Sequence, residues 1–251
     1  MSEKHRGIDI GREDAPIRIL WIHGYTGSPD AFKDSAERLA KALDARILIP
    51  LLPGHGTEEH NLLGHTFADF LESAHHHAEA FHDSSRPFII LGYSFGGYLA
   101  TILAAEFKPT ALIISLTPYK LRFPFCIRYF ESLFQFRPFW NKYLTSEDIR
   151  VRTGTFYYPD LPSNSLVLIK QGNRILEQIW PKIQCPVLTL HNATDPLARP
   201  ESGNSFLSHL ESNNTHESHI LPGGRHALFF RPEHDPEESI VIAFIKKIMR
   251  I

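Results

Sequence analysis

The run Gly92-Tyr93-Ser94-Phe95-Gly96, with Gly97 behind it, could turn a serine into a nucleophile. A serine hydroxyl attacks a carbonyl only when a base takes its proton and a carboxylate orients that base. The setting of the run is as telling as its spacing. It follows the apolar segment Phe88–Leu91 (FIIL) and opens the helical stretch Tyr98–Phe107. A sharp strand-to-helix turn of this kind holds the serine in a strained conformation with its hydroxyl exposed. Gly92 and Gly96 flank the turn, where a Cβ would collide with the close-packed chain. Ser94 is the expected nucleophile, and the plain alternative is a glycine-rich turn with a capping serine.

The base and the acid must come from elsewhere. Asp195 lies just past the apolar run Val187–Leu190 (VLTL), and His226 lies just past the short run His219–Leu221. Both places are carboxyl ends of strands, where ligand sites of open α/β sheets collect. A turn or N-cap role before Pro196 competes for Asp195, and Glu201 is the fallback acid. The rivals of His226 are His191, His209, His216, His219 and His234. His191 is close to a strand interior, His209 is expected on a helix and His219 sits within the final strand, so His226 in its glycine-flanked loop fits best. Negative charge growing on an attacked carbonyl oxygen needs two aimed N–H groups. The Phe95 amide, at the positive end of a helix, is one, and the Tyr25 amide in the loop His23–Gly27 is the other.

Those groups need a sheet to carry them. Apolar runs at Ile17–Ile22, Arg46–Ile49, Phe88–Leu91, Ala111–Leu116, Val187–Leu190 and, more weakly, His219–Leu221 read as strands, most of them apolar on both faces as strands covered by helices on each side must be. Between them lie amphipathic stretches with helix signals. Ser28-Pro29-Asp30 reads as a helix start, Thr66 with Asp69 as a capping box, and Asp235-Pro236-Glu237-Glu238 with Lys246, Lys247 and Arg250 as two dipole-matched ends. Alternation of this kind predicts an α/β fold with a mostly parallel sheet. The stretch between Pro118 and Cys185 breaks it, and its first part is aromatic and basic. A connection that long is functional or carries its own structure. The expected organisation is a core of residues 1–118 and 185–251 with a mainly helical cap inserted at 119–184.

The segments HGYTG (23–27), PLLPGHG (50–56), GYSFGG (92–97), VLTLHNATD (187–195) and GGRHALFF (223–230) together resemble the α/β-hydrolase superfamily, in particular its bacterial carboxylesterase and monoacylglycerol-lipase branch. The resemblance implies a sheet of about six or seven strands, a Ser94–Asp195–His226 triad in the superfamily's chain order, oxyanion donors at Tyr25 and Phe95, no cofactor and a lidded acyl pocket. Tyr119, Phe123, Phe134 and Trp140 of the cap are the expected substrate-binding residues. The segment before Ile17 is short for the antiparallel strands that many relatives carry, which implies a trimmed sheet.

Other classes are disfavoured. The chain of 251 residues has 26 Lys+Arg against 28 Asp+Glu, a net charge of −2, so bulk electrostatics calls for no nucleic acid. Two cysteines, Cys126 and Cys185, make neither a disulfide framework nor a four-cysteine metal site. Glu72, His75, Glu79 and His82 share a helical face, read as a solvated face and not a zinc site. No leader and no long apolar run stand in the sequence, so a cytoplasmic protein without stable membrane insertion is expected, with a small-molecule ester as its partner. Thioesterase, acyltransferase and C–C hydrolase chemistry would use the same parts. A catalytically silent binding protein is the reading from a different class.

Overall fold

The apolar runs become strands because helices cover both of their faces, so that every residue of Ile17–Ile22, Phe88–Tyr93 and Val187–Asn192 is buried. The computed structural model describes residues 6–58, 60–122, 139–141, 158, 160–211, 215–223, 226–229 and 236–251. In chain order the elements are β1 (Ile8–Ile10), β2 (Ile17–Ile22), a 3-10 turn (Pro29–Phe32), α1 (Lys33–Leu43), β3 (Ala45–Ile49), α2 (His60–Leu63), α3 (Phe67–Phe81), β4 (Phe88–Tyr93) and α4 (Phe95–Phe107). They continue with β5 (Ala111–Ser115), β6 (Phe139–Asn141), β7 (Asp160–Pro162), α5 (Ser165–Ile179), β8 (Val187–Asn192), α6 (Ser202–Leu207), β9 (Glu217–Leu221) and α7 (Pro236–Met249).

Seven strands form one sheet in the order β1-β3-β2-β4-β5-β8-β9. Every neighbouring pair is parallel except β1 with β3. The segment before Ile17 therefore does supply an antiparallel edge strand, of three residues, pairing Ile8 with Ile49. Alternate side chains go to opposite faces. Leu20, Ile22, Ile90, Leu112 and Ile114 pack under α3, α4 and α5, whereas Ile19, Trp21, Ile89, Leu91 and Ile113 pack under α1 and α7.

Helix ends follow the local chemistry in one case and depart from it in another. Thr66 and Asp69 make the reciprocal capping box at the start of α3. Ser28 opens a 3-10 turn without a side-chain capping bond, and α1 begins only at Lys33. The acidic pair at the start of α7 is buried, not solvated. The Glu238 carboxylate, wholly inaccessible, accepts bonds from Arg38 at 2.6 and 2.8 Å and from the Ser35 hydroxyl at 2.5 Å. Glu237 accepts the Phe229 amide at 2.8 Å.

Within the inserted stretch, β6 and β7 pair antiparallel as a two-stranded sheet. α5 behaves differently: Leu168, Ile169 and Leu176 join the same core as α4. Contact is so close that a Cβ on Gly172 would stand 2.6 Å from the Tyr98 ring. Phe123 and Phe134 lie outside the described residues, as does the side chain of Trp140.

Candidate active site

β4 ends one residue before Ser94, and α4 begins one residue after it. Ser94 takes φ 52° and ψ −117°, a strained backbone for a residue with a Cβ. The turn is held by the Ser94 amide donating to the Ser115 carbonyl at 2.7 Å. A Cβ on Gly96 would meet the Ile22 carbonyl oxygen at 2.2 Å, and one on Gly92 would meet the Gly96 carbonyl oxygen at 2.5 Å. Both glycines are therefore demanded by close approach, as their places beside the serine predict.

The loops after β8 and β9 bring their residues to this turn. His226 Nε2 stands 2.7 Å from Ser94 Oγ, and His226 Nδ1 stands 2.7 Å from Asp195 Oδ2. A carboxylate can only accept, so Nδ1 carries the proton and Nε2 is left to accept from the serine. Asp195 is fully buried and His226 is 7% exposed, so water does not dilute the pair. Burial alone would raise the Asp195 carboxyl. The neighbouring His226 and the N–H groups of Leu197 and Ala198 outweigh that and hold it below its ordinary value. The arrangement can draw a proton from Ser94 and hold the resulting imidazolium beside a fixed negative charge.

The loop after β2 passes over the nucleophile: a Cβ on Gly24 would be 3.3 Å from the Ser94 Cβ. The rings of Tyr25 and Phe95 meet edge-on at 5.5 Å. Among the described residues neither the Tyr25 nor the Phe95 N–H has an acceptor. His55 of the PGHG loop is buried, with its ring nitrogens facing the Tyr25 and Pro53 carbonyls, and burial pushes it down to about 4. It is a loop clamp and stands apart from the proton relay.

Other expected residues sit elsewhere. Glu201 is exposed at the start of α6. His191 is in β8 with Nε2 at 3.1 Å from the Thr117 carbonyl, and His219 is in β9 beside Glu217. His209 stands just beyond α6, stacked on Trp180 and 2.9 Å from the Tyr119 hydroxyl. Tyr119 thus packs with Trp180, Phe206 and His209. His234 is outside the described residues. His75 pairs with Glu106 at 2.7 Å and with Glu79, and among the described residues no cluster of three or more His, Cys, Asp or Glu could hold a metal ion. Two supporting side chains escape sequence reasoning. The Tyr93 hydroxyl donates to the His226 carbonyl at 2.9 Å, and the Asn192 amide donates to the Ala227 carbonyl at 3.1 Å. Their only signal is their place one residue before Ser94 and three before Asp195, which does not say what they reach.

A mostly parallel sheet with a serine on a strand–helix elbow, backed by a histidine and a carboxylate from later loops, is the architecture of an α/β hydrolase. The alpha/beta hydrolase family model matches residues 19–238, and the chain belongs to that family. A thermostable monoacylglycerol lipase from Bacillus sp. (strain H-257) is 33% identical over 97 residues, which are 39% of this chain and 38% of the lipase. A structure of the metagenome-derived lipolytic enzymes LipS and LipT superposes with a TM-score of 0.77 at 18% identity, covering 99% of both chains. The Paleococcus ferrophilus monoacylglycerol lipase gives a TM-score of 0.74 at 16% identity, covering 96% of this chain and 98% of that one. At these identities the structural likeness is one of fold.

Proposed function

We propose that this chain is a serine hydrolase that cleaves carboxylic esters, short- to medium-chain acyl esters or monoacylglycerol-like substrates, through an acyl-enzyme. The observation that carries the reading is the unbroken relay from Ser94 Oγ through His226 to Asp195, with 2.7 Å at each step. The partial match to a monoacylglycerol lipase supports a carboxylic ester as the bond cleaved.

Ser94 Oγ attacks the ester carbonyl while His226 Nε2 takes its proton, and Asp195 stabilises the imidazolium. The Tyr25 and Phe95 amides receive the oxyanion. His226 then protonates the leaving alcohol. In the second half it deprotonates a water that attacks the acyl-Ser94 carbonyl, releasing the acid and restoring the serine. No cofactor enters the scheme.

The inserted segment is read as a cap over the acyl site, with Tyr119, Phe123, Phe134 and Trp140 assigned to substrate binding. Two contacts at its downstream end support the placement: the Tyr158 amide donates to the Thr26 carbonyl at 3.1 Å, and Asn164 accepts the Tyr25 hydroxyl at 2.7 Å. Because α5 packs in the core, the cap is read as ending near Asn164, ahead of the 184 boundary that composition suggests.

Intact mass after exposure to a fluorophosphonate tests the reading. A single adduct on the wild type and none on Ser94→Ala is the expected result. Parallel turnover of an oxygen ester and its thioester analogue then separates esterase from thioesterase. Folded wild type that takes no label would overturn the assignment in favour of a silent binding protein.

A further inference from the structure

The two proposed oxyanion amides belong to peptide groups that are gripped from behind in the same way. In a trans peptide the C=O and N–H point in opposite directions, so a bond that fixes the carbonyl also aims the amide. No cis peptide bond occurs among the described residues. The Phe95 N–H shares its peptide with the Ser94 carbonyl. That oxygen accepts the Gly97 amide at 3.0 Å and the Thr117 hydroxyl at 3.1 Å. The Tyr25 N–H shares its peptide with the Gly24 carbonyl, which accepts the Gly27 amide at 3.2 Å and faces His23 Nδ1 at 2.9 Å. The Leu52 amide donates to His23 Nε2, so Nδ1 carries the proton and donates. Each peptide is thus held by a turn amide and by one buried side chain.

Thr117 is built into its place. It is 1% exposed. The residue before it, Leu116, takes φ 52°, a left-handed conformation at the end of β5 that turns the chain toward the elbow. The Thr117 carbonyl is tied by the Tyr119 amide at 2.8 Å and by His191 Nε2 at 3.1 Å. Gly97 makes room for it, since a Cβ there would overlap the Thr117 hydroxyl oxygen at 1.8 Å. The third glycine of GYSFGG is therefore explained by Thr117 and not by the turn itself.

Resting on the esterase reading above, we infer that Thr117 is a positioning residue for the reaction: its hydroxyl, bonded to the Ser94 carbonyl, aims the Phe95 amide at the oxyanion. A second donor on that carbonyl also polarises the peptide and strengthens its N–H as a donor. The contribution is confined to the charged tetrahedral state, and substrate affinity does not depend on it.

The test compares Thr117→Val, which keeps the shape and loses the hydroxyl, with Thr117→Ser, which keeps the hydroxyl. The assays are turnover of p-nitrophenyl butyrate and inhibition by a short-chain alkyl trifluoromethyl ketone, whose serine adduct bears the oxyanion. Thr117→Val is expected to lower kcat about 10–100-fold and to weaken the ketone in proportion. KM should stay within about twofold, and Thr117→Ser within about threefold of wild type throughout. The pH midpoint of kcat/KM should be the same in all three proteins, because the His226–Asp195 pair is untouched. Wild-type kcat and ketone affinity in Thr117→Val, or equal losses in both variants, would refute the inference while leaving the hydrolase reading intact. Wild type that neither turns over ester nor takes a fluorophosphonate removes the hydrolase reading and this inference together.

Discussion

Ser94 is bent into a conformation that residues with a Cβ seldom adopt, and its strain is held by a bond to Ser115 and by two glycines that allow the chain to close around it. The functional cost of removing each partner should follow its role. Ser94→Ala and His226→Ala should each lower kcat by at least about 10³-fold with little change in KM, as expected for groups that act as one unit. Asp195→Asn should fall by a comparable factor, because an amide can donate to Nδ1 and select the wrong tautomer. Steady-state kinetics on an ester that the wild type turns over is the check, and retained activity in any of the three would reassign that residue. At this scale much was legible. Ser94, Asp195 and His226 could be named because each stands just past the carboxyl end of a strand, where the sites of open α/β sheets collect. Tyr93 and Asn192 could not, since what their polar ends reach lies in the loop around His226.

Strands of the sheet were legible almost to the residue, because burial by helices makes their runs predominantly apolar. Ala45–Ile49, Ala111–Ser115 and Val187–Asn192 follow the expected runs closely. α5 was hidden. Its stripe of Leu168, Ile169 and Leu176 has the helical period, but Gly172 weakens the helix and Asn164 gives it no side-chain cap. That glycine is there to admit the Tyr98 ring, a reason held in α4. α7 shows the same limit. Glu237 and Glu238 look like ordinary dipole partners of a surface helix, yet Glu238 is buried against Arg38 and Ser35. Glu238→Ala would strip Arg38 and Ser35 of their acceptor between α1 and α7, and a loss of about 2–4 kcal/mol is expected. Urea unfolding of the two proteins measures it, and a difference below about 0.5 kcal/mol would show the pair to be energetically idle.

The molecule as a whole keeps several imidazoles out of water. His23, His55 and His191 are buried, and burial holds each below the ordinary value, His55 at about 4. Their folded values lie below the unfolded one, so between the two the unfolded chain binds more protons. Stability is therefore fully present above about pH 6.5 and falls as pH drops through that window, with about 3 kcal/mol at stake for His55. The urea midpoint should fall between about pH 7 and about pH 5, and less steeply in His55→Gln. A flat midpoint over that range would show that these rings are not held neutral.

By itself the amino-acid order determined what neighbours along the chain can enforce: which runs are buried on both faces, where a strand turns sharply into a helix, and that a serine stands in that turn. These are local matters of side-chain volume, glycine placement and hydrogen-bond donors within a few residues. The sequence favoured His226 among fifteen histidines, and only the tertiary structure brings that ring to Ser94. His226 comes from 132 residues away, and Asp195 from a separate loop 31 residues before that histidine. The strand order places β8 beside β5 and β9 beside β8, all parallel to β4, and so brings those two loops to the same end of the sheet as the elbow. Such pairings are selected by packing over the whole sheet, and no stretch of sequence contains both partners.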